Sequence, residues 1–399
     1  MWFRYNKLFL GKILLLLVIL LVIGLSGFGC AGIRNMPEGG SGATIADGTL
    51  FLAPAVKSGG GFGCTPSPTE GKLVAVDALD GTSRWELPLE SSRPAGGGFG
   101  CTPASTAVAI YGTPAVAGEL VYVGGYDGRI YAVNTSSGAL RWVYPREGYL
   151  KPIVGGPVVA LGKVYFGCAD GKVYALDAPT GDKEWEFKTG DKIWSTPTID
   201  GDTLYVGSFD NKLYALDVTN GSQKWEPFET EGAIISTPVV YNNTVYFGSF
   251  DRHLYAVNIT NGKLVWVFPA TDEDENKPEN WFWTRPVAYN NVIYAGCLDH
   301  KLYGLEAGSG EKVAEFDLGS PIVSWPVSVD SKVVIASQEG KIYVLDTGNN
   351  QITPLAEAEE KIYAPLGAGE GVVYVHTQEG VLYEVDAQTG AMRQLYIIK

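Results

Sequence analysis

Three histidines and three methionines are all that this 399-residue chain contains. His253, His300 and His376 lie far apart, and no metal-ligand spacing such as His-Glu-x-x-His connects them, so the sequence offers no zinc-hydrolase pattern. No two of its five cysteines are adjacent. Basic residues are scarce as well: 30 Lys and Arg stand against 44 Asp and Glu, a net charge of −14. Phosphate neutralisation needs Lys/Arg stripes, so neither nucleic acid nor direct docking on anionic lipid is expected. What the chain has in quantity is glycine and tyrosine, 51 and 22 residues, with 46% hydrophobic residues, a balance that fits turn-rich β structure.

The string Ala175-Leu-Asp177-Ala-Pro-Thr-Gly181-Asp-Lys-Glu-Trp185 recurs as Ala75…Trp85, Ala132…Trp142, Ala215…Trp225 and Ala256…Trp266. Short apolar runs alternating with turns at a spacing of roughly 40 residues are the mark of a β-propeller with four-stranded blades. In one unit, Thr196–Ile199, Thr203–Val206, Lys212–Leu216 and Gln223–Glu226 read as its four strands. Asp127-Gly128, Asp170-Gly171, Asp210-Asn211, Glu339-Gly340 and Glu379-Gly380 supply the tight hairpin between the second and third. Aligned on that hairpin, units start near Gly42, Gly112, Gly155, Ser195, Ser236, Thr284, Ser324 and Tyr363. The chain therefore reads as all-β, an eight-bladed propeller, with seven blades the alternative count. The last three units carry Ala314, Pro354 and Gln394 in place of the tryptophan. Pro114, Pro157, Pro197, Pro238, Pro286, Pro326 and Pro365 open the innermost strands, whose free edge tolerates a residue without an N–H.

This pattern resembles the pyrroloquinoline-quinone (PQQ)-type repeat propellers, and the Ala-x-Asp/Asn-x-x-x-Gly-x-x-x-Trp string is similar to that family's tryptophan-docking motif. The resemblance covers residues from about 42 to 399. It implies either a quinoprotein dehydrogenase or a cofactor-free scaffold such as the propeller lipoprotein of the bacterial outer-membrane β-barrel assembly machine. The dehydrogenases use adjacent cysteines over the quinone and a calcium ion held by acidic and amide side chains. No such cysteine pair exists here and no calcium ligands can be matched, so neither PQQ nor calcium is expected, and no catalytic residue is assigned. Five tryptophans at one repeat position read as inter-blade packing.

The N-terminus runs from a basic start (Arg4, Lys7, Lys12) through the apolar stretch Ile13 to Leu25 to Ser26-Gly-Phe-Gly-Cys30, the layout of an export signal. Cys30 after Gly29 is similar to a lipobox, although Gly27 stands where that motif prefers leucine. Three outcomes stay open: a lipoprotein beginning at a lipidated Cys30, an uncleaved anchor, or a secreted form. All three put the propeller outside the cytoplasm. The organisation expected is 1–30 signal, lipobox or anchor, 31–41 tether, and 42–399 propeller, with a share of 31–41 in ring closure left open. Asn134 and Asn258 match glycosylation sequons and are read as turn residues.

Cys64 and Cys101 each end a Gly-Gly-Gly-Phe-Gly-Cys sequence in loops that a propeller places on one face, and in an oxidising compartment they are disulfide candidates. Cys168 and Cys297 replace Gly125, Ser208 and Ser249 of other blades and read as small core residues. In the long connection 269–283, Asp272, Asp274 and Asn276 have the alternate spacing of calcium ligands but lack the loop's glycine and terminal glutamate. They read as a solvated acidic loop. Tyr111, Trp194, Trp283 and Tyr363 share a position shortly before the proline, and Arg285 and Trp325 directly precede theirs. Together they are expected to ring one channel mouth, as a partner-binding rim or as plain packing. The sequence thus points to an exported, membrane-anchored, monomeric envelope propeller that binds or scaffolds other envelope proteins. The alternatives are a PQQ-dependent dehydrogenase and a small-ligand or glycan sensor.

Overall fold

Punctuation by turn residues sets the architecture of the computed structural model, which describes residues 40–54, 71–91, 106–271 and 277–398. The leader with Cys30, the Cys64 and Cys101 loops and Asp272 to Asn276 lie outside the described residues. Eight four-stranded antiparallel sheets follow one another in the chain, each built from consecutive strands, over residues 44–88, 115–144, 158–188, 198–229, 239–268, 287–317, 327–357 and 367–397. These are blades 1 to 8. Their innermost strands touch in cyclic order, and Gly367–Ala368 of blade 8 reaches Thr44–Ala46 of blade 1, so the ring closes. Among the described residues there is no helix.

Each blade packs a neighbour on both faces, so its two middle strands are apolar almost throughout. Thr203–Gly207 and Thr244–Gly248 are buried at every residue, whereas the outer strand Lys183–Lys188 alternates between exposed and covered positions. The second-to-third hairpin requires a left-handed residue, supplied by Gly128, Gly171, Asn211, Arg252, His300, Gly340 and Gly380. Asn134 and Asn258 do act in turns, their side-chain oxygens accepting from the N–H groups of Ser136 and Thr260 at 3.2 and 3.0 Å.

The five tryptophans join blades. Each indole N–H donates to a carbonyl of the following blade: Trp85 to Thr135, Trp142 to Ala178, Trp185 to Val218, Trp225 to Ile259 and Trp266 to Ala307, at 2.7 to 3.1 Å. The turn glycines Gly138, Gly181, Gly221, Gly262 and Gly310 lie flat against these rings, where any side chain would collide. At two of the three interfaces that lack the tryptophan, Gly390 and Gly81 approach the backbone carbonyls of Leu355 and Leu395 instead. The blades there pack backbone to backbone.

Blade 4 departs from the expected strand. Its outer strand is Phe228–Glu229 and not Gln223–Glu226, where only a Leu216–Gln223 bridge forms. Pro227 has no N–H to continue the ladder, which displaces the strand past it. The proline rule holds in six blades, whose inner strands begin one residue after the proline; after Pro365 the strand begins two residues later.

Closure is carried by packing and by the residue pair at the seam. Ala43, Leu50, Leu52 and Val74 of blade 1 form one apolar cluster with Tyr374, Leu382, Leu395 and Ile398 of blade 8. Ser41, at the end of the expected tether, exchanges backbone and side-chain hydrogen bonds with Ala53 and accepts from His376, so the chain just before the first strand takes part in closure.

Candidate functional site

The second-to-third hairpins and the segments linking successive blades lie side by side on one face, tied by a repeated hydrogen bond. Phe209 N–H donates to Lys192 O at 3.0 Å, Phe250 to Ala233 at 2.9 Å and Leu298 to Trp281 at 3.1 Å, with Tyr126, Ala169, Gln338 and Gln378 doing the same in their blades. The hairpin aspartate locks this arrangement. Asp210 Oδ2 accepts from Tyr214 OH at 2.7 Å and from Gly190 N–H of the linking segment at 2.6 Å, and Asp251 repeats the pattern with Tyr255 and Glu231. Burial alone would raise the pKa of Asp251, but hydrogen bonds from His253 and Tyr255 hold it below the usual carboxylate range. A rim fixed in this way presents side chains with little freedom left to lose on binding.

Of the residues expected on the rim, the structure gathers two into one cluster. Trp194 meets Phe209 edge-on at 5.0 Å between ring centroids, and Phe209 meets Phe250 at 6.3 Å. Phe250 stacks on both Trp281 at 4.4 Å and Trp283 at 5.8 Å. Lys192 lies over Trp194 at 5.0 Å and over Phe209 at 4.1 Å, a cation–π arrangement. The result is an aromatic arc across blades 4 to 6, with Trp281 40% exposed. Phe209, Phe250, Trp281 and Lys192 were not anticipated; the available signal was an aromatic residue directly before the hairpin aspartate.

The other rim residues stand apart from the arc. Tyr111 pairs edge-on with Tyr126 at 5.7 Å, and burial pushes its hydroxyl up to about 12. Tyr363 OH accepts from Gln338 Nε2 at 2.9 Å. Trp325 is half-buried, and Arg285 is exposed.

Arg285 and Trp325 belong to a second feature, a ring of equivalent residues leading into the inner strands: Gly42, Thr113, Gly156, Thr196, Thr237, Arg285, Trp325 and Pro365. From Pro365 round to Thr196, neighbours in this ring touch. A side chain on Gly42 would meet Thr113 Oγ1 at 2.7 Å and Pro365 at 3.0 Å, one on Gly156 would meet Thr113 O at 2.7 Å, and Gly156 N–H donates to Thr196 Oγ1 at 2.8 Å. Small residues fill the ring except at Arg285 and Trp325.

Cys168 and Cys297 are fully buried, with Sγ donating to Lys151 O and Asn280 O at 3.3 Å. Burial pushes both thiols far above their ordinary range, which leaves them unreactive.

A family model described as outer membrane protein assembly factor BamB matches residues 35–162 and 169–395. No curated protein matches the sequence. Among solved structures, the crystal structure of BamB from Moraxella catarrhalis superposes with a TM-score of 0.66 at 17% identity, covering 86% of this chain and 93% of that one. The computationally designed Ika8 protein gives a TM-score of 0.67 at 15% identity over 88% of this chain and 97% of its own. Sqt1 from Saccharomyces cerevisiae gives 0.60 at 15% identity over 71% and 84%. At such identities the structures share the fold, and the chain belongs to the family of the matching model.

Proposed function

From membership in the outer membrane protein assembly factor BamB family, we propose that this protein is a non-enzymatic interaction module of the cell envelope, docking a protein partner on the hairpin face of its ring. The observation that carries this reading is the arc of Trp194, Phe209, Phe250, Trp281 and Trp283 with Lys192. Interlocked aromatics on a rigid rim have the composition of an interface hot spot, where buried aromatic anchors such as tryptophan contribute most of the binding energy. No cofactor is needed for this activity. The basic, apolar, Gly29-Cys30 order of the leader supports attachment to a membrane through a lipidated Cys30.

The test is affinity capture with crosslinking from membranes, comparing the wild-type chain with Phe250→Ala and with Lys183→Ala on an outer strand. The reading expects a partner captured by the wild type and by Lys183→Ala and lost with Phe250→Ala. Equal capture by all three moves the working surface elsewhere. For the anchor, intact-mass analysis is expected to find a mature chain that begins at a lipidated Cys30, and an unmodified chain beginning at Met1 refutes it.

A further inference from the structure

The eight segments that lead into and form the inner strands, 40–46, 111–117, 154–160, 194–200, 235–241, 283–289, 323–329 and 363–369, contain only two charged residues. Asp200 ends its strand on the face opposite the hairpins, and Arg285 belongs to the residue ring at the hairpin-side mouth. Every other place in that ring is neutral. Arg285 makes no hydrogen bond or ion pair with any described residue, although the chain as a whole carries an excess of carboxylates. Solvent reaches it, yet the surrounding protein desolvates the guanidinium enough to lower its pKa, which still leaves it a full cation at neutral pH.

An unpaired guanidinium among neutral walls is a directed anion receptor. Its planar fork matches a carboxylate with two parallel hydrogen bonds, and the low-dielectric wall of a channel mouth strengthens the attraction. Tryptophans hold the adjoining places: Trp325 has the same ring position in the next blade, and Trp283 stands two residues before Arg285. A phosphate, with nearly two charges, calls for more than this single cation. The occupant is therefore a lone carboxylate with an apolar neighbour.

We propose that Arg285 anchors a carboxylate of the bound partner, inserted at the mouth of the channel between Trp283 and Trp325. This inference rests on the rim reading above and adds the chemistry that the rim selects. The carboxylate has two sources, the C-terminus of a polypeptide or an acidic side chain.

The full-length protein in detergent is titrated calorimetrically with three capped peptides: acetyl-Gly-Gly-Leu as the free acid, the same peptide as its amide, and acetyl-Gly-Gly-Glu amide. At least one of the two carboxylate peptides is expected to bind about tenfold more tightly than the leucine amide, the scale of one charge-assisted hydrogen-bonded pair. Whichever binds identifies the source. Arg285→Gln is expected to erase that preference and Arg285→Lys to keep part of it. No preference in the wild type, or an undiminished one in Arg285→Gln, overturns the proposal. Partner capture that survives Arg285→Gln but is lost with Phe250→Ala overturns the carboxylate anchor while leaving the rim reading intact, and capture unaffected by either variant removes both.

Discussion

His376 Nδ1–H donates to the carbonyl oxygen of Ser41 at 2.8 Å, a contact between residues 335 positions apart that pins the last blade to the chain entering the first. Since a carbonyl only accepts, this bond fixes the neutral tautomer with its proton on Nδ1. Nε2 is then buried without a partner. Full burial lowers the pKa of His376 below the ordinary 6.5, with the Ser41 bond opposing it only in part.

The first prediction follows from linkage. Unfolded His376 takes up a proton more readily than folded His376, so stability is complete above pH 6.5 and declines as pH falls below it. Asp77, held below the usual carboxylate range chiefly by Arg84, and Glu86, held there chiefly by Lys72, lose their contributions only in more acid solution. Melting temperature should therefore drop between pH 6.5 and about 5 in the wild type. In His376→Leu that slope should vanish, on a lower baseline because Ser41 O loses its donor. An unchanged slope would assign the acid sensitivity to other groups.

The second prediction concerns the tryptophan interfaces. Trp185 is 8% exposed, and a methyl group on Gly221 would meet its ring at 2.6 Å. Trp185→Ala should cost about 3–5 kcal/mol by chemical denaturation. Gly221→Ala should also destabilise, through the clash and through its positive φ of 74°. The double variant should be less destabilised than the sum of the two, because removing the ring removes the clash. Strict additivity would mean that the glycine is required for its backbone angle alone.

Blades 1 to 5 were legible because one tryptophan and one glycine are each forced by a contact repeated at fixed spacing. Blades 6 to 8 were legible only through turn punctuation and the strands around Tyr303, Tyr343 and Tyr383, since Ala314, Pro354 and Gln394 leave no common residue at the position that tryptophan holds elsewhere. The aromatic arc was half visible. Trp194 and Trp283 stand at a repeat position, but Phe209 and Phe250 alternate with Ala169, Leu298 and Gln338 at theirs, and only the cross-blade geometry brings them together. The His376–Ser41 seam left no trace in the repeat, because it joins the two ends of the ring.

A third prediction tests backbone strain on the opposite face. Leu161 adopts φ 51° at a turn position held in other blades by Asp47, Gly118, Gly201, Asn242, Asn290 and Asp330, and it is 70% exposed. A leucine gains nothing there from burial and pays for a conformation that asparagine adopts more readily. Leu161→Asn should stabilise the protein by roughly 0.5–1 kcal/mol. A loss of stability would show that Leu161 makes a contact its exposure does not reveal.

The last prediction separates binding from packing at the rim. Phe250 is the hub of the arc, stacked on Trp281 and Trp283 and touching Phe209, but its own blade is held by the Asp251–Tyr255 hydrogen bond and the Phe247–Tyr255 stack. Removing the Phe250 ring leaves those supports in place and frees two indoles that a partner would otherwise meet already ordered. Phe250→Ala should therefore lower the affinity for a captured partner by about 30-fold, near 2 kcal/mol, while changing the melting temperature little. Lys224→Ala on the outer edge, which breaks exposed ion pairs with Asp202 and Asp217, should leave affinity unchanged. If Phe250→Ala instead lowers the melting temperature sharply and affinity falls only with the folded fraction, the arc is packing over the channel mouth, and the partner surface must be sought on the leucine-bearing face.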